Sequence, residues 1–121
     1  MEKEDIYYIF EKTKLKISGG EQLFKNQKFI TRGVNSEVSI ILQLFMWQCI
    51  EEMPLSKDYL QVFECTLEDG KQRITHTQEF FDKPEYKQEY LLKLADTPIF
   101  IGKIFVIDDG DHSTMLLASE Y

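Results

Sequence analysis

The 121-residue sequence is poor in cysteine, histidine and proline, with two, two and three of them, and it holds a single tryptophan. Cys49 and Cys65 stand singly inside apolar runs without CxxC spacing, so they read as reduced core residues of a cytoplasmic protein rather than as a disulfide or metal pair. There is no Gly-rich phosphate loop, no GxSxG, no zinc-ligand spacing and no Ser–His–Asp order with supporting context. No cofactor and no metal is expected. The first residues, Met1-Glu2-Lys3-Glu4-Asp5, reverse the charge of a secretory leader. The longest apolar run, Val38 to Met46, is far too short to cross a membrane and is broken by Ser39 and Gln43. A soluble cytoplasmic protein is the expectation.

What is present is an ordinary globular composition, 43% apolar and 29% charged, at a length that suits one domain over residues 1–121. No repeat, low-complexity tract or linker divides it. The net charge of −7 is unevenly spread. Residues 1–32 hold seven basic and five acidic groups, a balance of +2, whereas the remaining 89 hold seven basic and sixteen acidic groups, a balance of −9. An acidic body resists casual nucleic-acid binding and suits a basic protein groove.

Two β-rich runs, residues 5–17 and 23–31, flank Ser18-Gly19-Gly20 and predict an N-terminal β-hairpin. On a strand Lys12, Lys14 and Lys16 share one face. With Lys25, Lys28, Arg32 and the rings of Tyr7 and Tyr8 they form a candidate RNA- or partner-binding surface. The competing reading is an edge strand guarded by lysines. Asn35 or Ser36 then caps a predicted long helix over about 36–53, ended by Pro54, with Val38, Ile41, Leu42, Phe45, Cys49 and Met53 as its apolar stripe. Trp47 falls off that stripe, either as a contact anchor or wedged at the helix–sheet edge.

Strands are predicted at Tyr59–Thr66 and Lys71–Phe80, joined by a Leu67–Gly70 hairpin turn, and at 86–94. The run 99–107 is apolar on both faces and reads as a central strand. Ser113–Ala118 follows as a short strand or helical turn. The fold class expected is α+β: a single antiparallel sheet, one long helix on a face, and the N-terminal hairpin (1–32) as an extension of a 33–121 core.

Two clusters could carry chemistry. Asp108, Asp109, Asp111 and His112 gather hard oxygen ligands and a base near neutral pH, but the spacing is not that of an EF-hand. A solvated β-turn, which favours Asp and Gly, is the plainer account. His76, mid-strand between two threonines, could face outward and bind a partner or an RNA backbone; otherwise it is part of a solvent face.

Thr31–Asn35, Leu42–Gln48, Asp58–Glu64, Pro84–Tyr86 and Lys103–Ala118 resemble a family of small proteins from low-GC Gram-positive bacteria known as domain of unknown function 960. Its members begin near Phe29, so residues 1–28 stand apart. The family brings no catalytic residues with it. In size, acidity and build the chain is also similar to anti-CRISPR proteins that act on type II effectors. That likeness implies an inhibitor that binds an RNA-guided nuclease and interferes with its guide RNA or guide loading. A guide-RNA-cleaving enzyme using His112 or His76, and a host interaction module, are the alternatives.

Overall fold

The computed structural model describes residues 24–78 and 83–121, together with the backbone of residues 6–8. In chain order the elements are β1 (Ile6–Tyr8), β2 (Gln27–Thr31), α1 (Arg32–Glu37), α2 (Ile40–Glu51), β3 (Leu60–Glu68), β4 (Lys71–Gln78), β5 (Tyr86–Leu92), β6 (Gly102–Asp108) and β7 (His112–Leu117). A 3₁₀ turn, Ala118–Glu120, follows β7.

The strands form one seven-stranded sheet in the order β1-β2-β7-β6-β3-β4-β5. β3 and β4 pair antiparallel across a turn whose Asp69 and Gly70 both take positive φ, 52° and 72°. This is the primed geometry that the Leu67–Gly70 signal predicts. β6 lies at the centre between β7 and β3, as its doubly apolar sequence requires.

The expected single antiparallel sheet is corrected here. β2 runs parallel to β7, with Gln27 opposite His112 and Ile30 opposite Met115, so the sheet is mixed. The starts of the two strands are pinned together. Ser113 Oγ donates to Asn26 Oδ1 at 2.6 Å, and Asn26 Nδ2 donates to Asp108 Oδ1 at 3.3 Å. β1 does pair antiparallel with β2, but Gln27–Thr31 is an inner strand of the sheet rather than part of an appendage. The predicted Ser18–Gly20 turn lies outside the described residues.

The expected long helix is corrected too. Val38 and Ser39 are extended, at φ −116°, ψ 124° and φ −62°, ψ 153°, and interrupt the predicted 36–53 between α1, which begins earlier at Arg32, and the twelve-residue α2. The cause is local capping. Thr31 caps α1 by accepting from Val34 N, and Ser39 caps α2 by accepting from Leu42 N. The expected caps, Asn35 and Ser36, lie inside α1.

With the break in place the buried face of α2 becomes Leu42, Gln43, Met46, Trp47, Cys49 and Ile50. It packs on Ile30, Phe63, Cys65, Ile74, Ile104, Val106 and Met115 from five strands. Each large apolar side chain buried there contributes roughly 1.5–3 kcal/mol. One face of the sheet is thus covered, and no second helix covers the other among the described residues.

The chain end straps α1 to the sheet. Glu120 Oε1 accepts from Thr31 Oγ1 at 2.6 Å and from Leu117 N at 2.8 Å, and its Oε2 accepts from Gly33 N at 3.0 Å. A Cβ on Gly33 would lie 2.6 Å from that Oε2 and 2.7 Å from Leu117 Cδ1, so the close approach needs glycine. Glu120→Ala is expected to cost about 1–2 kcal/mol, since it strips acceptors from partly buried donors. A urea-unfolding midpoint equal to that of the parent would contradict this.

Candidate functional site

Among the described residues, those singled out from sequence do not converge. Lys12, Lys14 and Lys16 lie outside the described residues, and of Tyr7 and Tyr8 only the backbone is described, in β1. Lys25 lies 4.0 Å from Glu51, and Arg32 opens α1 on the surface. Lys28 is not on an exposed stripe. It shares a strand face with Ile30 and is buried, donating through Nζ to the Phe24 and Asn26 carbonyls at 3.2 and 3.4 Å. Its ammonium sits 5.7 Å from the centre of the Trp47 ring, within cation–π range. Burial lowers its pKa, partly offset by Glu51 and Asp108. Trp47 is itself buried and belongs to the core, so it offers no surface anchor.

His76 does not face outward either. It is fully buried, stacked on Phe63 at 4.3 Å, with the Tyr86 ring edge-on at 5.2 Å. Its Nε2 donates to Gln61 Oε1 at 2.7 Å, because the Gln61 amide nitrogen is turned to Asp58 O and Gln78 Oε1, both at 3.0 Å. Gln78 Oε1 also accepts from Asp58 N, and its Nε2 donates to the Ser56 and Pro84 carbonyls. The row ties the α2–β3 connection to the sheet. Burial pushes the His76 pKa down to about 3, so the ring is neutral at physiological pH. A buried neutral imidazole without solvent access makes a poor general base.

In the acidic turn Asp108 is buried and acts as a hub. Its Oδ2 accepts from Phe24 N at 2.6 Å, and its Oδ1 accepts from Gly110 N at 2.7 Å. Asp109 turns to His112, with Oδ1 accepting from His112 N at 3.1 Å and Oδ2 lying 3.3 Å from Nε2. Asp111 is exposed. This is the hydrogen-bond pattern of a turn, and no cluster of three or more His, Cys, Asp or Glu able to hold a metal occurs among the described residues.

A concave feature lies elsewhere, at the break between α1 and α2. A cleft of about 310 Å³ has apolar walls from Ile30, Val38, Ile40 and Pro98. Asn35, Ser36, Glu37, Ser39 and Gln43 supply its polar groups, and no cation lines it among the described residues. Gln43 is buried; its Nε2 donates to Val38 O at 2.8 Å and reaches Val34 O at 3.5 Å. That leaves Gln43 Oε1 without a partner among the described residues. An unmet buried acceptor costs about 1–3 kcal/mol. The first N–H groups of α2 have no intrahelical acceptor, and Ser39 Oγ takes that of Leu42. Beside the cleft α2 exposes Ile40, Ile41 and Leu44 at 56, 50 and 43%. Sequence reading misses this site, although Gln43 and Ser39 stand out as polar breaks in the apolar run.

A mixed sheet of this order with one face covered by α2, and a cleft where α1 breaks into α2, defines a small sheet-and-helix domain class. Residues 27–120 match the model of a family described as "Staphylococcal protein of unknown function (DUF960)", and the chain belongs to that family. The crystal structure of a protein of unknown function from Enterococcus faecalis is similar in fold, with a TM-score of 0.66 and 24% identity over 80% of this chain and 92% of that one. No curated protein matches. The likeness to anti-CRISPR proteins finds no support in these comparisons. No helix among the described residues is long and apolar enough to cross a membrane.

Proposed function

We propose that the domain binds a partner protein by seating a short basic, apolar-anchored peptide segment in the α1–α2 cleft. The observation that carries this is the cleft with apolar walls, lined also by Glu37, next to exposed isoleucines. A peptide answers each feature at once. Its backbone can hydrogen-bond the polar groups that line the cleft, those of Asn35, Ser36 and Ser39 among them. An aliphatic or aromatic side chain fills the wall of Ile30, Val38, Ile40 and Pro98, where a buried anchor dominates affinity. A Lys or Arg beside the anchor meets Glu37 and the acidic body. A type II RNA-guided nuclease, which holds its guide in a positively charged channel, is one such basic partner, and direct binding to the purified nuclease tests that finer reading.

Panning the intact protein against a displayed random peptide library tests the general one. Enriched sequences are expected to carry Lys or Arg within two positions of a large apolar residue. Amide shifts on adding one of these peptides should centre on residues 35–43, and Ile40→Asp should weaken binding by about tenfold or more. Acidic consensus peptides, or shifts centred elsewhere, would overturn it.

A further inference from the structure

The two edges of the sheet are unequal. Among the described residues one ends in β1, Ile6–Tyr8, and a short edge strand is a common way to prevent pairing with another chain. The other ends in β5, seven residues without proline, glycine or bulge, whose outer side pairs with nothing among the described residues. Alternate N–H and C=O groups of β5 therefore point away from β4.

The side chains of β5 divide cleanly between two faces. Tyr90 packs edge-on against Phe45 of α2 at 5.0 Å and Tyr86 packs on His76, which places Tyr86, Gln88 and Tyr90 on the helix-covered face. Lys87, Glu89 and Leu91 lie on the other face, where Arg73 of β4 pairs with Glu89, and Lys87 Nζ lies 3.6 Å from the same carboxylate. Leu91 is 44% exposed there.

We propose that β5 pairs antiparallel with β5 of a second copy of this chain, about a two-fold axis through Gln88. A two-fold pairing that joins two sheets into one must set like faces side by side, so the axis passes through a residue rather than between residues. Only a few centres remain. Centring on Lys87 sets Lys87 against Lys87 and Glu89 against Glu85, and centring on Glu89 sets Glu89 against itself. Centring on Gln88 sets Lys87 against Glu89 twice, Tyr86 against Tyr90 twice, and the two Gln88 amides against each other. Opposite charges and aromatic pairs directly across a ladder are favourable, and like charges there are unfavourable. The lysine that would guard this edge against strangers is thus matched by the strand's own glutamate in this register alone.

Charge reversal tests the register with the full chain. Sedimentation velocity from micromolar to near-millimolar concentration should show a reversible monomer–dimer equilibrium. Lys87→Glu alone and Glu89→Lys alone should each weaken the dimer by about tenfold, because each sets two like-charge pairs across the axis. An equimolar mixture of the two variants should restore it, since a strand with acids at both positions then meets a strand with lysines at both. Circular dichroism confirms that each variant is folded. A parent that stays monomeric throughout overturns the proposal, and so does a mixture that fails to recover the dimer.

Discussion

Replacing Asp108 with alanine is expected to destabilise the domain by about 3–5 kcal/mol, among the largest losses available to a polar residue in it. The carboxylate is buried and accepts from Phe24 N at 2.6 Å, Gly110 N at 2.7 Å and Asn26 Nδ2 at 3.3 Å. Hydrogen bonds to a charged group contribute about 1.5–3 kcal/mol each, and of the donors left behind Phe24 N is buried away from water. Phe24 adds a second reason. Its φ of 64° is in the left-handed region, which a non-glycine residue keeps only when its surroundings hold it there. The bond to Asp108 is that hold. Asp109, adjacent in the turn but half-exposed and tied only to His112, should cost about 1 kcal/mol or less on the same change. Urea denaturation of the two variants side by side separates a structural hub from a reactive cluster. Equal and small losses would mean that Asp108 does not carry the turn and would reopen the question of chemistry there.

How much of this can be read from sequence differs from residue to residue. The β3–β4 turn is plain because Asp69-Gly70 answers a backbone requirement that few residues meet. β6 is plain because no exposed strand is apolar on both faces. β4 is less plain, because Ile74 is the one apolar residue on either of its faces. Gln72, His76 and Gln78 point into the domain and Arg73, Thr75 and Thr77 point out, so alternation alone cannot choose between them. What decides is long-range: Gln72 Nε2 donates to Phe100 O at 2.9 Å and its Oε1 accepts from Phe100 N at 2.8 Å, twenty-eight residues away.

Lys28 carries a usable signal. Its place two residues from Ile30 on a short strand assigns it to the core face, whatever its charge. The break at Val38–Ser39 is also within reach, since a serine before a run of aliphatic residues is a start signal, but the apolar periodicity running through it argues for one continuous helix. Reading through the break rotates the helix face and puts Trp47 outside. It also hides the cleft, which exists only because the helix is broken. The parallel pairing of β2 with β7 joins residues some eighty positions apart, and no local pattern encodes it.

His76 should give the domain a distinctive acid sensitivity. In the unfolded chain its imidazole takes up a proton below about pH 6.5, whereas in the folded domain burial delays this to about pH 3. Between those values the unfolded state binds the extra proton, so stability falls as the pH falls. The contribution is fully present above about pH 6.5 and declines by roughly 1.4 kcal/mol for each pH unit below it. From pH 6.5 to 5, above the range where ordinary carboxylates protonate, the loss is about 2 kcal/mol. His76→Phe keeps a ring stacked on Phe63 but deprives Gln61 Oε1 of its donor, at a cost of about 1–3 kcal/mol at neutral pH. The variant has no imidazole to charge, so its stability should fall less between pH 7 and 5, and the gap between the two proteins should close by about 2 kcal/mol. Urea unfolding at both pH values measures the gap directly. A gap that stays constant would mean that His76 takes up its proton as readily folded as unfolded, and would overturn this account of its burial.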